Sequence, residues 1–175
     1  VGYFAFDEFR ASKKEEYRKK GLEFLQSEKL TSAMENYEIA YNLGDRDDST
    51  LQNLSELYSI FGNYNRARKL AREFESQVKN DSYRDNLVVR YLHILSYLGE
   101  EDTESLKEGI KALLKISKSK FATDTGWRFT DVKKEMYESF SKFNKNIFDI
   151  LEAFLRGKIT PIDFEEKIKA ISWLN

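Results

Sequence analysis

Apolar residues return along this chain every three or four positions, and strict alternation of apolar and polar residues never lasts more than a few positions. That spacing puts the apolar set on one face of an α-helix, so the pattern predicts helices throughout. A first helix is expected from about Glu8 or Ser12 to Ser27, with Tyr17, Gly21, Phe24 and Leu25 facing inward. Glu28 and Lys29 make a turn, and a second helix follows from Leu30 to Leu43 with Ala33, Tyr37 and Ala40 inward. Gly44 ends it, as glycine does at helix C-termini, and Asp47, Asp48 and Ser49 offer caps for the next helix. The third helix runs to about Phe61 on the stripe Leu51, Leu54, Leu57 and Tyr58. Gly62-Asn63 turns the chain into a fourth, from Tyr64 to about Lys79, which buries Ala67, Leu70, Ala71, Phe74 and Val78.

Asn80, Asp81 and Ser82 break and recap the chain. A third hairpin is then built from Leu87, Val88, Tyr91, Leu92, Leu95 and Leu98, a Gly99 stop, and the stripe Leu106, Ile110, Leu113 and Leu114. Ser117 to Thr130 reads as a connector whose Trp127 and Phe129 pack onto the hairpins. A long helix is predicted over Asp131 to Arg156, on the seam Val132, Met136, Phe140, Phe143, Ile147, Leu151 and Phe154. Gly157 stops it, and Thr160-Pro161-Ile162-Asp163 opens a last helix carrying Phe164, Ile168 and Ile171, with Trp173 and Leu174 near its end.

The first two hairpins match each other at an offset of 34 residues. Phe24, Leu30, Ala33, Tyr37 and Ala40 recur as Tyr58, Tyr64, Ala67, Ala71 and Phe74, while Leu51, Leu54 and Ser55 stand for Tyr17, Lys20 and Gly21. A fixed period in this range marks stacked helical hairpins, each burying its apolar face on the next. The boundaries that follow are 14–47 and 48–81 for two repeats, 84–117 for a degenerate third, and 127–175 for C-terminal helices that cap the array. All of them fall in one helical domain, 1–175.

Composition narrows the function classes. The chain has 175 residues, 41% hydrophobic and 34% charged, enough for a packed core rather than disorder. Lys plus Arg number 29 and Asp plus Glu 30, a net charge of -1 that gives no electrostatic footprint for nucleic acid or an anionic membrane. There is no Cys, which removes disulfides and thiolate metal sites and fits a reducing, cytoplasmic setting. The longest nearly apolar stretch, Leu87 to Leu98, is interrupted by Arg90 and His93 and is too short to span a bilayer. The N-terminus has no basic flank or cleavage-like site and does not read as a signal peptide. It lacks an initial Met, which points to processing or to a domain cut from a longer protein.

The repeated residues resemble those of the tetratricopeptide repeat (TPR) family. That family's repeat has a large residue, Leu, Gly or Ala, and an aromatic on its first helix, then Ala, an aromatic and Ala on its second. Tyr17, Lys20, Gly21, Phe24, Ala33, Tyr37 and Ala40 follow it except at Lys20. Leu51, Leu54, Ser55, Tyr58, Ala67, Ala71 and Phe74 follow it with large and small exchanged at the last two places. The resemblance is good over Lys14 to Asp81, weak to Ser117 and absent beyond. It implies an all-α, right-handed superhelix of antiparallel hairpins, here with a C-terminal helical pair. It also implies a non-catalytic module that binds a peptide or partner helix in a concave groove. The groove would be lined by Arg18, Leu25, Gln52, Asn53, Glu56, Arg90 and His93. Some members grip a C-terminal carboxylate with Lys, Asn and Arg side chains. The matching places here include Arg18 and Asn53, but Leu22 departs from that pattern.

Other chemistry finds little support. His93 is the only histidine, so neither a metal site nor a catalytic pair has the ligands it needs, and no catalytic residue, metal or cofactor is assigned. No phosphate-cradling Gly-rich loop or Gly-x-Ser-x-Gly elbow occurs. Basic runs near Lys13 to Lys20 and Lys115 to Lys120 are interleaved with Glu or Ser and read as solvated faces. The expected partner is a protein or peptide, not nucleic acid or membrane, with self-association through the C-terminal helices as a further expectation. A regulatory or sensor domain of a multidomain protein is the alternative reading, and an enzyme with an unrecognised site a weaker one.

Overall fold

The computed structural model describes residues 2–79, 82–98, 102–117 and 142–171. Among these the chain is all-α, with eight helices and no strand. They are α1 (Gly2–Gln26), α2 (Leu30–Asn42), α3 (Asp48–Ile60), α4 (Tyr64–Gln77), α5 (Tyr83–Leu98), α6 (Thr103–Ser117), α7 (Lys142–Leu155) and α8 (Pro161–Lys169). The expected contributions of Trp127, Phe129, Val132, Met136, Phe140, Trp173 and Leu174 lie outside the described residues. The predicted boundaries of α2, α3 and α4 agree with the structure to within two residues. The first helix does not: it begins at Gly2, because no proline or capping residue interrupts the run before Asp7. Residues 5–12 are exposed on every face, with Arg10 over the Phe6 ring at 5.8 Å and Lys13 over Phe9 at 5.6 Å.

Two compact units are present, Val1–Phe74 and Glu75–Asn175. In the first, α2 packs on both α1 and α3. Its core is Leu25, Leu30, Ala33, Tyr37, Ala40, Leu51, Leu54, Leu57, Tyr58, Ala67, Leu70, Ala71 and Phe74. Two small residues allow the helices to approach. A Cβ placed on Gly21 would stand 2.8 Å from the ring of Tyr37, closer than carbon atoms can pack. In the next hairpin, Ser55 Oγ donates to the carbonyl of Ala67 at 2.8 Å, so α3 and α4 meet at backbone distance.

The turns inside the two hairpins of this unit share one geometry. Glu28 has φ 60° and Gly62 has φ 81°, both left-handed. Lys29 N–H donates to the Phe24 carbonyl at 2.9 Å, and Asn63 N–H to the Tyr58 carbonyl at 2.7 Å. Glu28 N–H reaches Leu25, and Gly62 N–H reaches Ser59. Each partner is displaced by the same 34 residues, and the same pair of bonds also closes α2 at Gly44 and Asp45, so the geometry is a shared helix ending rather than a mark of the period. This is the left-handed helix ending that glycine favours, filled by glycine at Gly62 and Gly44 and by glutamate at Glu28.

In the second unit α5 packs on α6, α7 on α8, and α8 also touches α6. Gly109 on α6 brings its Cα toward Ile94, whose Cγ1 would lie 3.1 Å from an added Cβ. The Phe154 and Phe164 rings stack with centroids 4.5 Å apart. Gly157, at φ 74°, ends α7. Thr160 caps α8 as its sequence predicts: Thr160 Oγ1 accepts from Asp163 N–H at 3.1 Å, and the Asp163 carboxylate accepts from Thr160 N–H.

Candidate functional site

Five of the seven predicted groove residues lie in the first unit, on α1 and α3. Arg18 is held by the chain's own carboxylates. Its Nη1 is 2.9 Å from Asp45 Oδ1 and 3.6 Å from Asp47 Oδ2. Asp45 is buried, and its second oxygen accepts from Thr50 Oγ1 at 2.6 Å. One carboxylate in the α2–α3 turn therefore ties α1 to α3. The role that the family resemblance implied for Arg18, gripping a ligand's carboxylate, is met from within.

Asn53 lies on the first turns of α3, where its Nδ2 donates to the Tyr37 hydroxyl at 2.9 Å. Burial pushes the Tyr37 phenol up to about 12, against a smaller opposing pull from the Asn53 hydrogen bond, so Tyr37 stays protonated at neutral pH. Arg18, Asp45 and Asp47 all act electrostatically on the same phenol, which gathers these groups around one point. Gln52 and Asn53 are half-buried, and neither Gln52 nor the Asn53 carbonyl oxygen has a hydrogen-bond partner among the described residues.

Leu25 and Glu56 require correction as groove-lining residues. Leu25 is 4% exposed and belongs to the core, because it lies one turn beyond Gly21 on the buried stripe of α1. Glu56 is 6% exposed, within a run of α3 residues, 54–59, that is buried on every side. Leu22, by contrast, is 43% exposed.

Arg90 and His93 lie in the second unit and share one acceptor. Arg90 Nη2 is 3.1 Å from Glu75 Oε1, and His93 Nε2 is 3.0 Å from Glu75 Oε2. Set one turn apart on α5, they clasp the last turn of α4. The sequence put both in the groove lining; neither periodicity nor spacing shows that Glu75 reaches them across a loop.

A second feature of the first unit escaped sequence reasoning altogether. A cleft of about 240 Å³ opens between α2 and α4, over α3. Glu38, Tyr41 and Asn42 form one wall, Arg66, Lys69 and Leu70 the other, and Tyr58 the floor. The Tyr58 phenol is hydrogen-bonded to Glu38 and Arg66 and is pushed up to about 12, mainly by burial and then by the Glu38 carboxylate. Arg66 Nη1 is 4.0 Å from Glu38 Oε1, and its guanidinium lies 5.8 Å from the Tyr58 ring centre. At the rim, the Tyr41 hydroxyl reaches both Glu73 oxygens, at 2.7 and 2.8 Å, and Arg46 stacks 3.7 Å over the Tyr41 ring. The only signal in the sequence was that two tyrosines, Tyr41 on α2 and Tyr58 on α3, stand near opposite charges, Glu38 on α2 and Arg66 on α4.

Among the described residues no His, Cys, Asp and Glu cluster is arranged to hold a metal ion. No helix there is long and apolar enough to cross a membrane. Comparison with family models, curated proteins and solved structures returned no match.

Proposed function

We propose that the chain is a TPR-like array of helical hairpins serving as a non-catalytic protein-binding module. Its ligand is a peptide or partner helix laid across α1 and α3 of the first unit. What carries this reading is the pairing of the 34-residue side-chain repeat with two half-buried amides, Gln52 and the acceptor end of Asn53. Side-chain amides offer both a donor and an acceptor and so can pair with a peptide's backbone. Held by the Tyr37 hydroxyl, Asn53 is already oriented, which lowers the entropy lost on binding. Leu22 adds apolar surface on α1. Arg18 contributes by fixing α1 to the α2–α3 turn rather than by touching the ligand. No carboxylate grip is needed in this scheme, and none is assigned there.

Selection of a displayed random-peptide library on the intact chain tests the proposal. Enriched peptides should lose about tenfold or more in affinity when Gln52→Ala and Asn53→Ala are combined, as expected for two hydrogen bonds. The urea midpoint should fall by the equivalent of about 1–3 kcal/mol, because Asn53→Ala leaves the buried Tyr37 hydroxyl without its donor, while the helical circular dichroism and the unfolding slope stay those of the parent. Failure to enrich any peptide, or binding that survives the double change in a folded protein, would overturn it.

A further inference from the structure

The cleft between α2 and α4 is lined by charged and tyrosyl side chains, and it is distinct from the α1–α3 surface. Its volume, about 240 Å³, lies below the roughly 300–1,000 Å³ of small-molecule sites. It therefore suits a single peptide residue or a chain end rather than a cofactor. Two cations, Arg66 and Lys69, face one carboxylate, Glu38. Glu38 is already engaged by the Tyr58 hydroxyl and, more loosely, by Arg66. Lys69 has no ion-pair partner among the described residues. The Arg66 guanidinium carries five N–H donors, of which Tyr58 and Glu38 occupy only part. The walls thus leave one positive charge uncompensated, beside unfilled donors on the exposed Arg66 guanidinium and above the buried Tyr58 ring.

We propose that this cleft binds a peptide carboxylate, held by Arg66 and Lys69 above the Tyr58 floor. A monoanion matches the single uncompensated charge. The carboxylate can come from an acidic side chain or from a chain terminus. Both sources present the same two oxygens to the Arg66 fork. Glu38 then acts as an internal competitor for Arg66, and this separates a carboxylate ligand from an ammonium or amide ligand. A cationic ligand would need Glu38, whereas an anionic one is opposed by it.

The test is an NMR titration of the isotope-labelled intact chain with three probes. These are acetyl-Ala-Ala-Ala with a free carboxylate, the same peptide as its amide, and acetyl-Ala-Glu-Ala amide. Saturable shifts at the Arg66 side-chain Nε–H and at amides near Tyr58 are expected with the first or third probe. Titration to about 20 mM covers the millimolar range of a small charge-assisted contact. Whichever acid saturates identifies the source. Arg66→Gln should weaken that binding about tenfold, as for a lost hydrogen bond to a charged group. Lys69→Gln should weaken it about threefold, as for an exposed charge. Glu38→Gln should tighten it by a similar factor of about three. No saturable shift, equal response to the neutral amide, or weaker binding in Glu38→Gln would overturn the proposal. Gln52→Ala with Asn53→Ala should leave these shifts intact, so failure here and failure at the α1–α3 surface are separately visible.

Discussion

Glu28 and Gly62 occupy the same place in the turns of the α1–α2 and α3–α4 hairpins, and exchanging them measures what that turn demands of the position. Both backbones are left-handed, φ 60° and 81°. A residue with a Cβ is disfavoured there by about 1–2 kcal/mol. Glycine avoids that strain, but its freer unfolded chain costs about 0.5–1 kcal/mol. Glu28 is exposed, and its side chain makes no hydrogen bond or ion pair among the described residues, so nothing in the folded state offsets the strain. Glu28→Gly should therefore stabilise the protein by about 0.5–1 kcal/mol. No atom lies within 4 Å of a Cβ built on Gly62, so Gly62→Glu loses backbone energy alone and should cost a similar amount. The double exchange should fall near the parent. Urea unfolding followed by circular dichroism reads this as a shift in midpoint at constant slope. By heat, each kcal/mol corresponds to about 2–4 °C in a chain of this size. If Glu28→Gly leaves the midpoint unmoved or lowers it with the slope unchanged, the strain argument is refuted.

Three further outcomes follow from the same contacts. Gly21→Ala drives a Cβ to 2.8 Å from the Tyr37 ring; overpacking of about 1–3 kcal/mol should outweigh about 1 kcal/mol of helix propensity, and urea midpoints will show a net loss. Tyr37 has a folded pKa of about 12 against 10 for a free phenol. Its contribution is therefore complete below pH about 10 and lost as pH rises toward 12, on the order of 2–3 kcal/mol in all, and Tyr37→Phe should flatten that alkaline limb in stability measured against pH. Thr160→Ala removes the side-chain cap of α8 and should cost about 1 kcal/mol, read as faster exchange of the Asp163 and Phe164 amides if α8 opens by itself.

What the sequence disclosed was whatever depends on neighbours along one helix. The stripes of α2, α3 and of α4 as far as Phe74, the stop at Gly44 and the Thr160–Asp163 cap are local and were read correctly, whereas Val78, expected inward, is half-buried past the end of α4 at Gln77. The small residues Gly21 and Ser55 were legible too, because the period fixed what they must face. Arg18, Arg90 and His93 were placed on the right helices, but their partners were not foreseen. Asp45 is 27 residues from Arg18, and Glu75 is 18 from His93, distances over which periodicity carries no information. Leu25 and Glu56 were misplaced because a helical wheel gives a direction and not the depth of what covers it. Gly109 escaped notice because the third hairpin lacks the period that made Gly21 conspicuous. The α2–α4 cleft depends on three helices at once, which no single stripe describes.

The Asp45 carboxylate has a consequence for how the first unit opens. Stacked hairpins ordinarily come apart stepwise, since each contacts only its neighbours. Here one buried anion is bonded to Arg18 from the first hairpin and to Thr50 from the second. Peeling α1 away alone would strand that charge, a penalty of about 3–5 kcal/mol. Partial detachment is thereby suppressed, and slow-exchanging amides in the C-terminal half of α1 should report the same opening energy as those in α3. A single carboxylate in a turn would thus decide whether two hairpins behave as a chain of links or as one cooperative block.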